Sequence, residues 1–278
     1  MMRKTIFLAA LFNILCFVGR SQSPAAYHVF YEFVYVRDLA NKSQPYTADM
    51  VLTLGDGSGR YCTEPLFSSM MRSRNPPAVS QAPSGGQTIT VMGRPGLTIS
   101  KQGALINEEI VKNHKSREVL FHAMIGVKLF GVKAAWPVID WSIQDEKKTL
   151  GPFICQKAVG AYGGRTYTAW FTTELPFPDG PWKLCGLPGL ILEATDNKGE
   201  VKFLFKEIKK NTDPKIDTEP IWSPETEVSS REYRKLMEAY TKDPAGFSAA
   251  QYPNAKMVVQ DDTDGKTTKV KKYNPIEL

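Results

Sequence analysis

Acidic residues and histidines gather between positions 108 and 122, where together they would suit a metal ion. The set comprises Glu108, Glu109, His114, Glu118 and His122. Carboxylates and imidazoles are ordinary zinc ligands, and His114 and Glu118 have the spacing of one helical face. The two histidines are not four residues apart, however, and no HExxH sequence occurs. We therefore interpret the set as a charged connection leading into the apolar run 119–135, and predict no metal and no other cofactor.

A cysteine nucleophile with a histidine base is the second chemistry that the sequence raises. The nucleophile would be Cys62, Cys155 or Cys185, and the base would be His114 or His122. Nothing in the sequence places a histidine beside a cysteine, and neither GxSxG nor HExxH is present. We predict no catalytic residues, and a secreted hydrolase or transferase remains the alternative hypothesis.

The first 21 residues have the features of a signal peptide. Arg3 and Lys4 precede an apolar run at 6–19, and small residues surround a cleavage point after Ser21. The run is too short to cross the hydrocarbon core of a bilayer. We predict that residues 22–278 are exported as a single β-rich domain, periplasmic or extracellular, which does not span the membrane.

Export would change both the charge and the state of the cysteines. The formal charge falls from +6 to +3, because three basic residues and no acidic residue leave with the signal peptide. So small a charge does not indicate nucleic-acid binding. In an oxidising compartment, three remaining cysteines indicate one disulfide and one free thiol. Cys155–Cys185 is the favoured pair because both lie in the central stretch, and three buried thiols are the alternative.

Short apolar runs separated by Gly and Asn/Asp turns predict a mainly β (α+β) fold. We expect an antiparallel, curved sheet, as a half-barrel or a sandwich, with one or two covering helices. Aromatic residues at every second position around Tyr31 form the first strand, and this stripe is either core or a ligand wall. A short helix is expected at 66–72, and 144–149 is expected to be a polar turn. The predicted strands are 27–37, 46–54, 60–62, 88–92, 97–101, 153–159, 166–172, 190–195 and 200–208.

The clearest helix begins near Ser229, within a predicted C-terminal region of helix and tail at 223–278. Ser229 and Glu232 have the spacing of a capping box. Apolar residues then recur on one face at i, i+3, i+4 and i+7 up to Tyr240, so the helix is expected to pack on a sheet.

The central stretch 153–196 contains a turn of alternating rigid and permissive residues. Its members are Gly186, Leu187, Pro188, Gly189, Leu190 and Ile191. Proline fixes φ and glycine allows angles that a side chain would forbid, so this turn is expected to be a rigid structural loop entering a buried strand.

Binding candidates in the same stretch are Arg165, Trp170 and Trp182, to which the stripe residue Tyr31 is added. Each tryptophan offers a large apolar face and one N–H. Arg165 follows a hairpin turn and would bind a carboxylate, or else pair with Glu174 or Asp179.

Several sequences in the region 136–210 occur in an order that resembles the GLPGLI family of exported Bacteroidota proteins. They are Trp141-Ser142-Ile143, Cys155-Gln156-Lys157-Ala158, Gly164-Arg165, Ala169-Trp170-Phe171, Leu175-Pro176, Gly180-Pro181-Trp182-Lys183 and the intact hexapeptide 186–191. The resemblance implies an envelope protein without an established activity, so there are no catalytic residues to carry over. It also supports the prediction of export.

The function predicted from the sequence is a non-catalytic role in the cell envelope. The binding partner would be an apolar ligand, a peptide or another envelope protein. A purely structural component of a surface assembly is a further hypothesis that the sequence does not separate from the first.

Overall fold

The computed structural model describes residues 25–74, 108–125, 128–224, 226–243, 246–247, 250, 274 and 276–277. The predicted signal peptide at 1–21 and the predicted strands at 88–92 and 97–101 lie outside the described residues. No helix of the described residues has the length and apolar character needed to cross a membrane.

Twelve strands and two helices are formed by the described residues. The strands are β1 Tyr27–Tyr35, β2 Tyr46–Gly55, β3 Ser58–Thr63, β4 Glu108–Asn113, β5 Glu118–Ile125, β6 Lys128–Ala134, β7 Ser142–Leu150, β8 Phe153–Tyr162, β9 Arg165–Thr172, β10 Leu190–Asp196, β11 Val201–Lys210 and β12 Thr226–Ser229. The helices are α1 Glu64–Arg74 and α2 Ser230–Lys242.

All twelve strands belong to one sheet. Their spatial order is β12-β6-β5-β4-β3-β2-β1-β11-β10-β9-β8-β7. Every neighbouring pair is antiparallel except β12 and β6, which are parallel. The prediction of a mainly antiparallel β protein with helices is confirmed, and the finer description as a half-barrel or sandwich stays a prediction.

A short connection between strands near opposite ends of the sheet shows that the sheet is strongly bent. Strands β6 and β7 are ten strand positions apart, which corresponds to about 48 Å in a flat sheet. The chain from Ala134 to Ser142 reaches at most about 28 Å even when fully extended. The connection 135–141 therefore requires the sheet to bring its two ends toward each other.

The two faces of the sheet carry separate cores. The inner face, defined here as the one that bears Tyr31 and Phe203, carries most of the buried aromatic residues. The outer face bears Val51 and Cys62, which pack with Phe67 of α1 and with Ile216. The aromatic stripe of β1 belongs to the inner core.

Helix α2 has the start that its sequence predicts. The side chain of Ser229 accepts from the backbone N–H of Glu232, and the side chain of Glu232 accepts from the backbone N–H of Ser229. The helix packs on the sheet through Tyr233, whose ring meets that of Phe121 edge-on at 5.3 Å.

Two predicted connections are strands instead. Residues 144–149 belong to β7, the last strand of the sheet, and not to a polar turn. Residues 108–122 form the β4–β5 hairpin rather than a charged connection, so the helical spacing of His114 and Glu118 does not apply. In β7 the burial does not alternate clearly, because the register of this strand with β8 shifts between Ile143 and Lys147.

Candidate functional site

The segment 173–189 between β9 and β10, called here the central loop, is anchored to the inner face through Asp179. Lys112 on β4 forms an ion pair with this carboxylate, and His114 Nε2 lies 3.0 Å from its other oxygen. Lys112 also donates to the carbonyl of Gly180 at 2.6 Å. The side chains of Lys112 and Asp179 are 0% and 2% exposed. The central loop therefore reaches from β9 to a strand on the far side of β1.

The electrostatic balance of this anchor favours the charged carboxylate. Burial raises the pKa of Asp179, but the ammonium group of Lys112 and the hydrogen bond from His114 outweigh it, so this pKa lies below its ordinary value. This buried pair fixes the position of the central loop, because either charge left alone in the interior would carry a large desolvation cost.

The hexapeptide 186–191 closes the central loop onto β10. The N–H of Ile191 donates to the carbonyl of Asp179 at 2.9 Å, and the N–H of Leu190 donates to Leu175 at 3.0 Å. Gly186 has a φ of 94°, which favours glycine. A Cβ on Gly189 would lie 2.1 Å from the carbonyl oxygen of Thr172. Both glycines are therefore needed for backbone reasons.

Two of the predicted binding residues lie inside this packed region. Tyr31 is 0% exposed, and its hydroxyl donates to the carbonyl of Ile191 at 2.7 Å. Burial and the nearby carboxylate of Asp179 raise the pKa of Tyr31. Trp182 is 4% exposed and stacks on Phe203 with ring centroids 6.3 Å apart. Neither side chain offers an open face to a ligand.

Arg165 is buried at the start of β9, which is about 23 Å long, and Glu174 lies beyond the other end of that strand. Its partners are not the predicted Glu174 or Asp179. Nη1 donates to Asp196 at 2.6 Å and lies 3.4 Å from Glu200. The predicted pairing is corrected because the turn between β10 and β11 brings these two carboxylates to the start of β9.

Trp170 lies on the outer face and is half-buried. The ammonium group of Lys148 is 4.6 Å from its ring centroid and 2.5 Å from a carboxylate oxygen of Glu193. One face of the indole is thus covered by a cation from β7, two strands away in the sheet.

The predicted Cys155–Cys185 disulfide is wrong. Both residues are free buried thiols, as is Cys62. Cys185 lies near Tyr162, the last residue of β8, whose ring packs against Trp182 with centroids 5.6 Å apart. Cys155 is on the same strand, seven residues before Tyr162 and therefore about 23 Å from it. Burial raises the pKa of Cys155 and Cys185 to about 11 and that of Cys62 to about 12.

The acidic and histidine residues of the β4–β5 hairpin are divided between the two faces. Glu109 and His122 meet at 3.0 Å within the outer core, and Glu109 also accepts from the N–H of Ile221 at 2.6 Å. His114 instead contacts Asp179 on the inner side. No group of three metal-binding side chains occurs among the residues that the structure describes.

Exposed apolar residues concentrate at the β7 end of the sheet. Within the described ranges, the exposed large hydrophobic residues are Val138 at 77%, Ile143 at 47% and Ile154 at 63%. Ile143 on β7 lies opposite Ala158 of β8. Ile154, further along β8, lines a cavity of about 160 Å³. We call this region the edge surface, comprising Ile143, Lys147, Ile154, Gln156 and Glu174.

Comparisons with known proteins give a short family match and a fold. A family model described as "Protein of unknown function (Porph_ging)" matches residues 161–193, which include the hexapeptide. A crystal structure of PNGF-II in space group P21 is similar with a TM-score of 0.52 at 16% identity, covering 76% of this chain and 32% of that chain. A C2 crystal form of PNGF-II gives a TM-score of 0.49 at 14% identity with the same coverage. No curated protein matches the chain in sequence.

This chain spans about a third of the PNGF-II chain, and at such low identity the likeness shows the fold alone.

The ion pair that anchors the central loop was not expected from the sequence. One sequence signal for this ion pair is the position of Lys112, two residues after the apolar Ile110. Alternate residues of a strand share a face, so Lys112 is expected to point into the core with Ile110. A second is the position of Asp179 between Pro178 and Gly180, which indicates a constrained backbone.

Proposed function

We propose that the chain is an exported cell-envelope protein of the GLPGLI family that binds an extended segment of a partner protein at the edge surface, without catalysis. The signal-peptide features of residues 1–21 support export. The family assignment is supported by the hexapeptide, which lies within the segment 161–193 that the family model matches. The observation that carries the binding role is the exposure of Ile143 and Ile154 on β7 and β8, next to an edge of β7 that pairs with no described strand.

Strand addition is the mode of binding that this edge suits. Strand β7 pairs with β8 on one side and has no strand on its other side among the described residues. An added strand would gain main-chain hydrogen bonds along that edge, and its alternate side chains would reach pockets on the sheet. Ile143 and Ile154 would then contact the apolar side chains of the partner. Charged residues such as Lys147 on β7 would limit unspecific pairing.

The size of the neighbouring cavity favours a polypeptide over a free apolar ligand. Its volume of about 160 Å³ is below the roughly 300–1,000 Å³ of sites for small organic ligands. A cavity of this size is suited to a single side chain. Lys147 and Glu174 at its lining would position polar groups of the partner's backbone.

A cysteine hydrolase has less support. The three described cysteines carry raised pKa values, so each remains a protonated thiol at neutral pH. His114 and His122 contact Asp179 and Glu109 rather than a sulfur atom.

Site-specific photocrosslinking in the producing bacterium tests the binding role. A photoreactive amino acid at position 143 should give a defined protein adduct, which Ile154→Asp should abolish. The matched control is the same group at Lys133, an exposed position on β6 near the other end of the sheet. Absence of an adduct at 143, or equal adducts at 143 and 133, would refute the proposal.

A further inference from the structure

Three described residues near the end of the sequence, Asn274, Ile276 and Glu277, lie in a groove built around Arg165, remote from the edge surface. Asn274 is 3% exposed. Its backbone N–H donates to the carbonyl of Arg37 at 2.9 Å, and its carbonyl accepts from the hydroxyl of Tyr35. Its side-chain amide donates to the carbonyl of Val36 at 2.8 Å and to Glu200 at 3.1 Å. The groove therefore binds Asn274 by hydrogen bonds to both its backbone and its side chain.

Arg165 completes this recognition from the other side. Its Nη2 donates to the side-chain oxygen of Asn274 at 2.6 Å, and its Nε donates to the carbonyl of Ile276 at 3.1 Å. The guanidinium group thus spans a side chain and a main-chain group two residues further on.

The groove is organised by residues outside the bound segment. Asp196 holds Nη1 of Arg165 at 2.6 Å, and the same carboxylate accepts from the N–H groups of Glu200 and Val201 at 2.7 and 2.9 Å. These bonds belong to the β10–β11 turn and do not involve residues 274–277. The arginine therefore stays oriented whether or not the segment is bound, which is the condition for a preformed site.

Two further contacts extend the groove beyond the asparagine. Ile276 packs against the inner core, and Lys183 of the central loop forms an ion pair with Glu277. The groove thus recognises an asparagine, an aliphatic residue two positions later and an acidic residue next to it.

From this geometry we propose that the groove around Arg165 is a peptide-binding site that the chain's own Asn274, Ile276 and Glu277 occupy in cis. Its ligand class is an extended polypeptide segment of the pattern Asn-x-aliphatic-acidic. The linked segment competes at high effective concentration, so a separate peptide binds more tightly once the segment is removed or weakened. This inference does not depend on the edge surface, and either proposal can fail without the other.

The test is binding of the synthetic peptide 271–278 to a chain that ends at residue 273, measured by fluorescence anisotropy after circular dichroism confirms folding. The truncated chain should bind the peptide, whereas the full chain should bind it at least tenfold more weakly. A peptide with Asn274→Leu has a side chain of similar size without the amide, and should bind at least tenfold more weakly than the natural sequence.

A second variant covers the case in which the truncated chain does not fold. The full-length Asn274→Leu chain keeps its length and loses only the amide contacts, so it should bind the natural peptide more tightly than the wild-type chain does. The proposal is overturned if the folded truncated chain binds neither peptide or both equally. It is also overturned if Asn274→Leu leaves the full-length chain's affinity for the peptide unchanged.

Discussion

Replacing Lys112 with methionine tests how the central loop is held on the sheet. Methionine keeps an unbranched side chain of similar length and removes the ammonium group. The Asp179 carboxylate then keeps its hydrogen bonds with His114 at 3.0 Å and with the N–H of Gly180 at 2.7 Å. It loses the buried cation that balances its charge. The carbonyl of Gly180 also loses its 2.6 Å donor.

The expected loss of stability is large because both charges are almost completely buried. Breaking a buried ion pair from one side typically costs about 3–5 kcal/mol, since the remaining charge is left without compensation. Asp179→Asn in the same background removes that charge. The double variant should therefore recover about 1–3 kcal/mol relative to Lys112→Met alone.

Urea unfolding followed by tryptophan fluorescence measures these differences. The control is Lys115→Met on the same hairpin, because Lys115 pairs with Asp56 at 2.7 Å while both side chains are about two-thirds exposed. An exposed pair contributes about 0–1 kcal/mol. If Lys112→Met cost no more than Lys115→Met, the role given to the buried pair would be refuted.

Three further predictions concern the central loop and the buried cysteines. Gly189→Ala should destabilise the fold by about 3 kcal/mol, because the new Cβ would clash with the carbonyl of Thr172. Gly186→Ala would meet only an ordinary contact with Trp141 at 3.9 Å and should cost about 1–2 kcal/mol for its positive φ; equal unfolding free energies of the two variants would contradict this order. Because the pKa of Asp179 is lowered on folding, its contribution is present above the ordinary carboxyl pKa of about 3.9 and is lost as the pH falls through the folded value. Asp179→Asn should therefore lose less stability than the wild type between pH 5 and pH 2, and parallel pH profiles would count against the argument. A thiol reagent at pH 8 should leave the three buried cysteines unmodified until the protein is unfolded, and a rapid reaction of Cys155 in the native protein would contradict this prediction.

Strong local patterns were sufficient to predict much of the fold. The aromatic alternation around Tyr31 defines β1, and the Gly163-Gly164 turn defines the β8–β9 hairpin. Ser229 and Glu232 define the start of α2. Each of these features depends on neighbours in the sequence.

Features that depend on distant parts of the chain were not predictable in this way. Strand β7 is polar because it lies at the end of the sheet, so its sequence resembles a turn. The partners of Arg165 come from the β10–β11 turn and from Asn274, 109 positions away. Cys155 and Cys185 are close in the sequence, which favours a disulfide, but the length of β8 keeps the two residues apart in the fold. Topology, and not local pattern, decides these contacts.

Hydrogen exchange of the backbone amides in the hexapeptide tests most directly whether this segment is a locked part of the core. The N–H groups of Leu190 and Ile191 bond to carbonyls of the central loop at 3.0 and 2.9 Å, and both residues are fully buried. They should exchange only through global unfolding, with an opening free energy equal to that from urea unfolding. Exchange of these two amides at a much lower free energy, while β1 stays protected, would show that the hexapeptide opens as a flexible loop and would contradict the account.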